Sequence, residues 1–433
     1  MKVVIIGNHA AGLTASEILR KGDKACDIVV ISSEDTPPYS RCLIGDIISG
    51  KRGLEDILFK PKDFYDKYSI KTIFGREVKK VLPDEKKILI DTDERVAYDN
   101  LIIATGGSST LPEIEGVNQK GVFCLRTIED AKKIKEYSKN VERVVILGGG
   151  LIGIKAALAV HDCGKKVRVL VSSSSILSQI VGSEESEIFE KYLGSLGIEI
   201  CTNTSPLKIL GNGKVNGVET GDGQKIDCQM VIVGKGVKPN INLVKGTGIK
   251  TDYGIIVDEH CRTNIDSVYA AGDVTQSKDS LRGQNQANAL WPLAVEEGRV
   301  AAENILGKDI KLRERTSMNS LAIYDLPLIS CGLTGVREKI EGAEKIIIEN
   351  KSKREYKKFL IKDNFLVGYS LIGNVSNAGV LTALIRKAVD IKKAKNKILA
   401  GKYDFSSVLP VIMENREKFT EPEFKEVVGF FKK

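Results

Sequence analysis

Residues that build metal centres and covalent scaffolds are scarce in this 433-residue chain. Its three histidines, His9, His161 and His260, lie far apart, and no HExxH occurs. Eight cysteines without a CxxC or a regular spacing argue against a zinc ribbon, a protein-ligated iron–sulfur cluster and a disulfide framework. Long apolar runs are missing too. The most apolar stretch, Val144 to Val160, is interrupted by three consecutive glycines and by Lys155, whereas a membrane span needs ~20 apolar residues. The opening run Val3–Ile6 stops at Gly7, too short for a secretory core. Net charge is only +8, from 65 Lys and Arg against 57 Asp and Glu, which is not the charge of a nucleic-acid coat. A hydrophobic content of 42% with mean hydropathy −0.09 excludes disorder and a membrane bundle. A cytoplasmic protein with reduced thiols, binding neither nucleic acid nor membrane, is expected.

What is present is length and a repeat. At ~150 residues per domain, the chain holds about three domains. Residues 2–32 (KVVIIGNHAAGLTASEILRKGDKACDIVVIS) and 143–172 (RVVILGGGLIGIKAALAVHDCGKKVRVLVS) share one pattern. Each reads as an apolar strand, a glycine turn, an amphipathic helix and a second apolar strand. That is the signature of a βαβ unit in a parallel sheet. Between them, VAYDNLIIATGG leads a polar hairpin into a strand that stops at Ala104-Thr105-Gly106-Gly107. A similar piece, DCQMVIVGKGVKPN, covers 227–240, and SVYAAGDV, 267–274, is another strand ending in Gly272-Asp273. From about Arg315 the pattern changes to short strand-like pieces and a Lys-rich helix over 379–400, with a loop and a short amphipathic helix from Tyr403 onward. This is an α+β texture with antiparallel strands, not a third nucleotide fold. It also carries the charge: residues 311–433 hold 24 Lys and Arg against 15 Asp and Glu.

In 148-GGGLIG-153, Gly148 permits a tight turn, Gly150 lets backbone approach a pyrophosphate, and Gly153 lets helix pack on strand. The helix that begins at Leu151 and Ile152 offers its first N–H groups to the phosphates. The first copy, 7-GNHAAG-12, is imperfect, because His9 stands at the middle position. Two readings of His9 are open: it turns away and caps the turn, or it contacts the phosphate or the cofactor ring. Glu34 follows the second strand, where a carboxylate takes ribose hydroxyls. Ser32 or Ser33 could share that task, and a solvated loop acid is the plain alternative. Two such units mean two dinucleotide sites, or one site and one relic.

IIGNHAAG, LIIATGG, GGGLIG, VGKGVKPN and VYAAGDV, in this order and spacing, resemble the pyridine nucleotide–disulfide oxidoreductase superfamily of FAD proteins. PPYSR at 37–41 is similar to one branch: rubredoxin reductases, nitrite reductase large-subunit flavoproteins, NADH oxidases and coenzyme A-disulfide reductases. IYDLPLISCGLTG, residues 323–335, resembles the dimerisation domain of that branch. The resemblance implies an α/β fold of two Rossmann-like dinucleotide-binding domains plus a C-terminal α+β dimerisation-type domain, and hence a homodimer. It implies FAD on residues 1–112 and 243–315, NAD(P)H on 113–242, and an interface domain over 316–433. Gly7, Ala11 and Gly12 would hold the FAD pyrophosphate, Glu34 and Ser33 the adenosine ribose, with His9, Arg41, Cys42 and Val78 alongside. Ala104, Thr105 and Gly106 would give backbone contacts, and Arg126 would lie near the flavin. Gly272 and Asp273 would bind the ribityl chain or flavin phosphate, and Trp291 and Pro292 would pack near the isoalloxazine. Gly148, Gly150, Leu151, Ile152, Gly153, Ser172 and Gly234 would hold NAD(P).

Three departures shape the implied chemistry. Cys42 stands three residues after Tyr39, where NADH oxidase and disulfide reductase members carry a redox cysteine. Rubredoxin-reductase-like members have proline there and no redox cysteine. A thiolate beside Arg41 could attack a disulfide or peroxide. Ala10 replaces a peroxidase-type histidine, which speaks against peroxide, and without a CxxxxC a dithiol relay is excluded. Lys155 replaces the glutamate that most relatives place after the third glycine, and Asp46 replaces a lysine. A catalytic-site salt bridge of reversed polarity, Asp46–Lys155, is therefore expected near the flavin, with two unrelated substitutions as the plain alternative. Finally, Val171 and Ser172–Ser175 stand where NADH enzymes place an acid and NADPH enzymes place arginines. Family frequency favours NADH, and an altered nicotinamide site stays open. The leading expectation is an FAD-dependent NAD(P)H oxidoreductase that exchanges electrons with a small iron–sulfur carrier, rubredoxin- or ferredoxin-like. Such relatives occur in anaerobes, including with CO dehydrogenase systems. The basic C-terminal third is a candidate dock for an acidic carrier, with a solvated Lys-rich surface as the plain alternative. The alternatives are an NADH oxidase or coenzyme A-disulfide reductase using Cys42, and a non-catalytic flavoprotein subunit.

Overall fold

The computed structural model describes residues 1–419 except 280, 288, 313–315 and 339. It divides into two compact units, Met1–Ser174 with Leu193–Arg315, and Ser175–Tyr192 with Thr316–Lys433.

The first unit is built on two five-stranded sheets whose strands all run parallel. In one, the order is Val268–Ala270, Asn100–Ile103, Lys2–Ile6, Asp27–Ser32 and Lys71–Phe74. The continuous β-branched runs are explained by burial on both faces, since alternate side chains point to opposite sides. Val3, Ile5, Val30 and Ile102 pack with Leu13, Leu19, Val300 and Ala301 of the helices Ala10–Gly22 and Trp291–Ile305. Val4, Ile6, Ile31 and Ile103 face the other way, against Val81, Ile88 and Ile90 of a hairpin. The two helices meet at a point that only glycine permits: a Cβ at Gly298 would lie 2.2 Å from the Ala11 carbonyl oxygen.

The second sheet repeats the plan, in the order Ile198–Cys201, Lys166–Leu170, Arg143–Leu147, Met230–Val233 and Val122–Cys124. In both sheets the fingerprint strand is flanked by the strand that follows its helix on one side and a later strand on the other. Ligands of such sheets bind at this switch point, beyond the carboxyl ends of the strands. Lys2–Ile6 and Arg143–Leu147 both end there in a glycine turn.

The second unit holds an antiparallel sheet, ordered Met318–Ile323, Leu326–Gly332, Phe365–Ile372, Glu355–Lys362 and Glu344–Asn350. The single Lys-rich helix expected over 379–400 is two helices, Ala378–Arg386 and Lys395–Leu399. Between them Ala388 turns left-handed (φ 43°), Ile391 N–H donates to Asn364 O at 2.9 Å, and Asp390 bridges Phe365. Burying Val389 and Ile391, both 0% exposed, outweighs continuing the helix. The short amphipathic helix expected after Tyr403 is Phe405–Glu414, and residues 420–433 lie outside the described residues. Among the described residues, no helix is long and apolar enough to cross a membrane.

Candidate active site

The first cradle begins at Gly7, held at φ +120°, a conformation that side chains disfavour. A Cβ there would lie 2.1 Å from Ala104 O, and one at Gly12 would lie 2.0 Å from Gly7 O. The turn, the next strand and the helix therefore close on one another through backbone. The helix Ala10–Gly22 has no acid in its first turn and no side-chain cap. Its first N–H groups are thus presented as an anion-binding terminus.

The structure corrects the capping reading of His9, whose side chain makes no cap hydrogen bond. The ring lies edge-on to Tyr39, with centroids 4.8 Å apart, and Nε2 is 3.3 Å from Glu34 Oε1. Its Nδ1 is buried without a partner. Burial lowers the His9 pKa from its ordinary value, although the hydrogen bond to Glu34 works the other way. Glu34 is not a solvated loop acid. It accepts hydrogen bonds from the Arg41 guanidinium and the Tyr39 hydroxyl as well as facing His9. Burial alone would raise its pKa. The His9 hydrogen bond, the Arg41 charge and the Tyr39 hydroxyl outweigh burial and hold it at about 2.

From Arg41 the polar chain runs on. Arg41 Nη1 donates to Arg126 O at 2.6 Å. Arg126 Nη2 donates to Asp273 Oδ2 at 2.7 Å, and Nε to Gly107 O at 2.9 Å. Arg126 is placed by the helix start after it, where Thr127 and Asp130 form a capping box. Gly272, at φ +83°, donates its N–H to Glu297 Oε2 at 2.6 Å and so presents Asp273. The loop Ala104–Gly107 is clamped by Asn240, whose Nδ2 donates to Thr105 O at 3.0 Å and whose carbonyl accepts from Thr105 Oγ1 at 2.9 Å. Ala104 packs in a small cluster with Ala10, Ala11, Ala271, Ala294 and Trp291. Trp291 packs against Phe59 with ring centroids 4.1 Å apart and planes tilted by 38°, and Pro292 occupies the first turn of its helix, where a missing N–H breaks no bond. The structure thus joins His9, Glu34, Arg41, Arg126 and Asp273 by direct contacts. Ser33 lies exposed beside them, and the Val78 side chain is committed to the apolar cluster with Ile31 and Ile90.

In the second cradle Gly148 takes φ +117°, and its Cβ would lie 2.6 Å from Gly234 O. A Cβ at Gly153 would lie 1.9 Å from Gly148 O, whereas one at Gly150 would meet nothing within 4 Å. Turn, open approach and close packing fall on the three glycines in the expected order. Leu151 and Ile152 open a helix, Leu151–Asp162, with no acid in its first turn. Ser172 is exposed just past the strand Lys166–Leu170.

The expected Asp46–Lys155 ion pair does not form. Asp46 pairs with Arg52 at 3.2 Å, and Lys155 Nζ donates to the Cys42 carbonyl at 3.0 Å. Arg52 follows Asp46 by six residues and reaches it first, and the 3-10 turn Arg41–Leu43 offers the lysine a carbonyl instead of a carboxylate. Cys42 is exposed, and none of the eight cysteines forms a disulfide. The donor sets fit the implied groups. Both cradles combine acid-free helix starts with glycine-lined backbone, and the first adds two arginines and an orphaned imidazole nitrogen.

A family model described as pyridine nucleotide-disulphide oxidoreductase matches residues 1–298. The chain belongs to this family. It is an oxidoreductase whose family cofactors are FAD and NAD(P)H. A second model, the rubredoxin NAD+ reductase C-terminal domain, matches residues 318–389. An NADH oxidase of Methanocaldococcus jannaschii is 32% identical over 433 residues, covering 95% of this chain and 96% of that protein. The NADH-rubredoxin oxidoreductase of Clostridium acetobutylicum is 30% identical over 398 residues, covering 92% and 96%. A crystal structure of NADH:rubredoxin oxidoreductase from that species superposes with TM-score 0.74 at 28% identity, covering 89% of this chain and 94% of that one. The assimilatory nitrate reductase electron transfer subunit of Bacillus subtilis is 29% identical over 399 residues. The match takes in 92% of this chain but about half, 51%, of that longer relative.

Three residues of this family site escaped the sequence reading: Glu297, Tyr39 and Asn240. Glu297 had a signal, because an acid on the same helical stripe as Ala294 and Ala301 must find a partner. Tyr39, 0% exposed, joins Glu34 to the N–H of Ile128 at 2.8 Å. The contact with Ile128 spans 89 residues and leaves no local pattern.

Proposed function

We propose that the chain passes electrons between NAD(P)H and a small iron–sulfur carrier protein through bound FAD, in the cytoplasm, where its thiols stay reduced. The observation that carries this reading is the pairing of two dinucleotide cradles in one unit with a C-terminal stretch, 318–389, that matches the rubredoxin reductase domain. FAD, when bound, supplies both hydride and one-electron chemistry. The chain's own residues bind and orient. Arg41 and Arg126 bring positive charge to the first cradle. Asp273, fixed by Arg126 and by the Gly272 clamp on Glu297, is an acceptor for ligand hydroxyls. Lys155 ties the second fingerprint helix to the Arg41–Leu43 turn.

A second reading is kept alive by Cys42, exposed next to Arg41. It is an NADH oxidase or coenzyme A-disulfide reductase working through that thiol. One experiment separates the two: anaerobic rapid mixing with NADH and NADPH, followed by a panel of acceptors, on wild type and Cys42→Ser. Carrier reduction that survives the substitution supports the first reading. Acceptor reduction that disappears with the thiol, with disulfides as the preferred acceptors, replaces it with the second.

A further inference from the structure

Lys235 follows Gly234 at the carboxyl end of Met230–Val233. That strand runs parallel to the fingerprint strand, with Val233 opposite Leu147, and Gly234 N–H donates to Leu147 O at 2.8 Å. Its backbone then presses on the glycine turn. A Cβ at Gly148 would lie 3.5 Å from Lys235 N, and one at Gly234 would lie 2.7 Å from Gly153 Cα. Lys235 therefore emerges beside the second cradle, across the fingerprint strand from Ser172. Its side chain is exposed, and among the described residues its ammonium has no hydrogen-bond or ion-pair partner. Neighbouring protein nonetheless desolvates it enough to lower its pKa, and no carboxylate offsets that. A partly desolvated cation without a counter-charge, next to an open glycine turn and an acid-free helix start, suits an anion.

We propose that Lys235 is a phosphate-binding residue of the nicotinamide nucleotide site and acts on the pyrophosphate that NADH and NADPH share. This rests on the reading of the second cradle as the NAD(P)H site. The ribose that carries the distinguishing 2′ group belongs at the end of the following strand, where Ser172 stands. Lys235 lies on the other side of the fingerprint strand, so its charge does not discriminate the two nucleotides.

The test is calorimetric titration of the oxidised FAD-loaded protein with NAD+, NADP+ and ADP-ribose, for wild type, Lys235→Met and Lys235→Arg. Loss of one charge-assisted contact weakens binding roughly tenfold to a hundredfold. Lys235→Met is expected to weaken all three ligands alike and to flatten their salt dependence, with Lys235→Arg close to wild type and flavin content unchanged. Unaltered affinity in Lys235→Met, or a loss confined to NADP+, overturns the assignment. Wild-type protein that binds none of the three overturns the NAD(P)H reading beneath it.

Discussion

The two glycine cradles share a backbone plan and differ in what surrounds it. In the first, His9 replaces the middle glycine, and a continuous polar chain from His9 through Glu34, Arg41 and Arg126 to Asp273 closes around the turn. In the second, Gly150 faces open space and the nearby cation, Lys235, stands unpaired among the described residues. Preorganised and largely buried polar groups suit a ligand that stays bound, because their ordering is complete before it arrives. An open turn suits one that must enter and leave in every cycle. The contrast teaches that one motif serves a resident cofactor or an exchangeable substrate according to its neighbours.

The sharpest way to break this comparison is to place the same methyl group on each cradle. Gly7→Ala forces a Cβ to within 2.1 Å of backbone at φ +120°, and is expected to cost roughly 3 kcal/mol or more and to release flavin. Gly150→Ala meets nothing within 4 Å. It should leave the melting temperature unchanged and weaken only nucleotide binding. Equal thermal behaviour of the two variants would contradict the contrast.

Next in size is Arg126→Ala, which strands Asp273 at 18% exposure. Losing a charge-assisted hydrogen bond of this kind costs on the order of 1.5–3 kcal/mol, so the purified variant should carry less flavin per chain. A third effect is acid sensitivity. His9 and Glu34 both have lowered pKa values in the folded chain, so the unfolded chain binds more protons and stability falls with falling pH. The His9 contribution is complete above 6.5 and shrinks below it. That of Glu34 is complete above 4.5 and is lost as the pH approaches about 2. Glu34→Gln should flatten the more acidic limb of a melting curve taken across this range, and His9→Gln the limb nearer neutrality.

Smaller still, Cys42→Ser should change carrier reduction by less than about twofold. Smallest is the Asp46–Lys155 pair. A double-mutant cycle with Asp46→Asn and Lys155→Met should show coupling below about 0.5 kcal/mol, the level of independent sites.

What the sequence made legible was local. Strands, glycine turns and the stops at Gly106 and Gly272 are written in β-branched runs and in residues that tolerate left-handed backbone. Their order placed both cradles. Partners across space were less visible. Asp46 and Lys155 looked complementary by charge, but pairing depends on which neighbour is nearer, and Arg52 and a backbone carbonyl were. The helix over 379–400 failed for the same reason: the competing bond, to Asn364, comes from a hairpin turn that periodicity does not see. Glu297 acts on Gly272, 25 residues away, and only its place on an apolar stripe marked it.

The measurement that bears most directly on two cradles serving one flow of electrons is an anaerobic titration of the flavin-loaded protein, followed at the flavin's visible band. NADH or NADPH should bleach that band, and an oxidised rubredoxin-like carrier should restore it, in Cys42→Ser as in wild type. A flavin that neither nucleotide bleaches, or that once reduced no carrier reoxidises, would contradict the account.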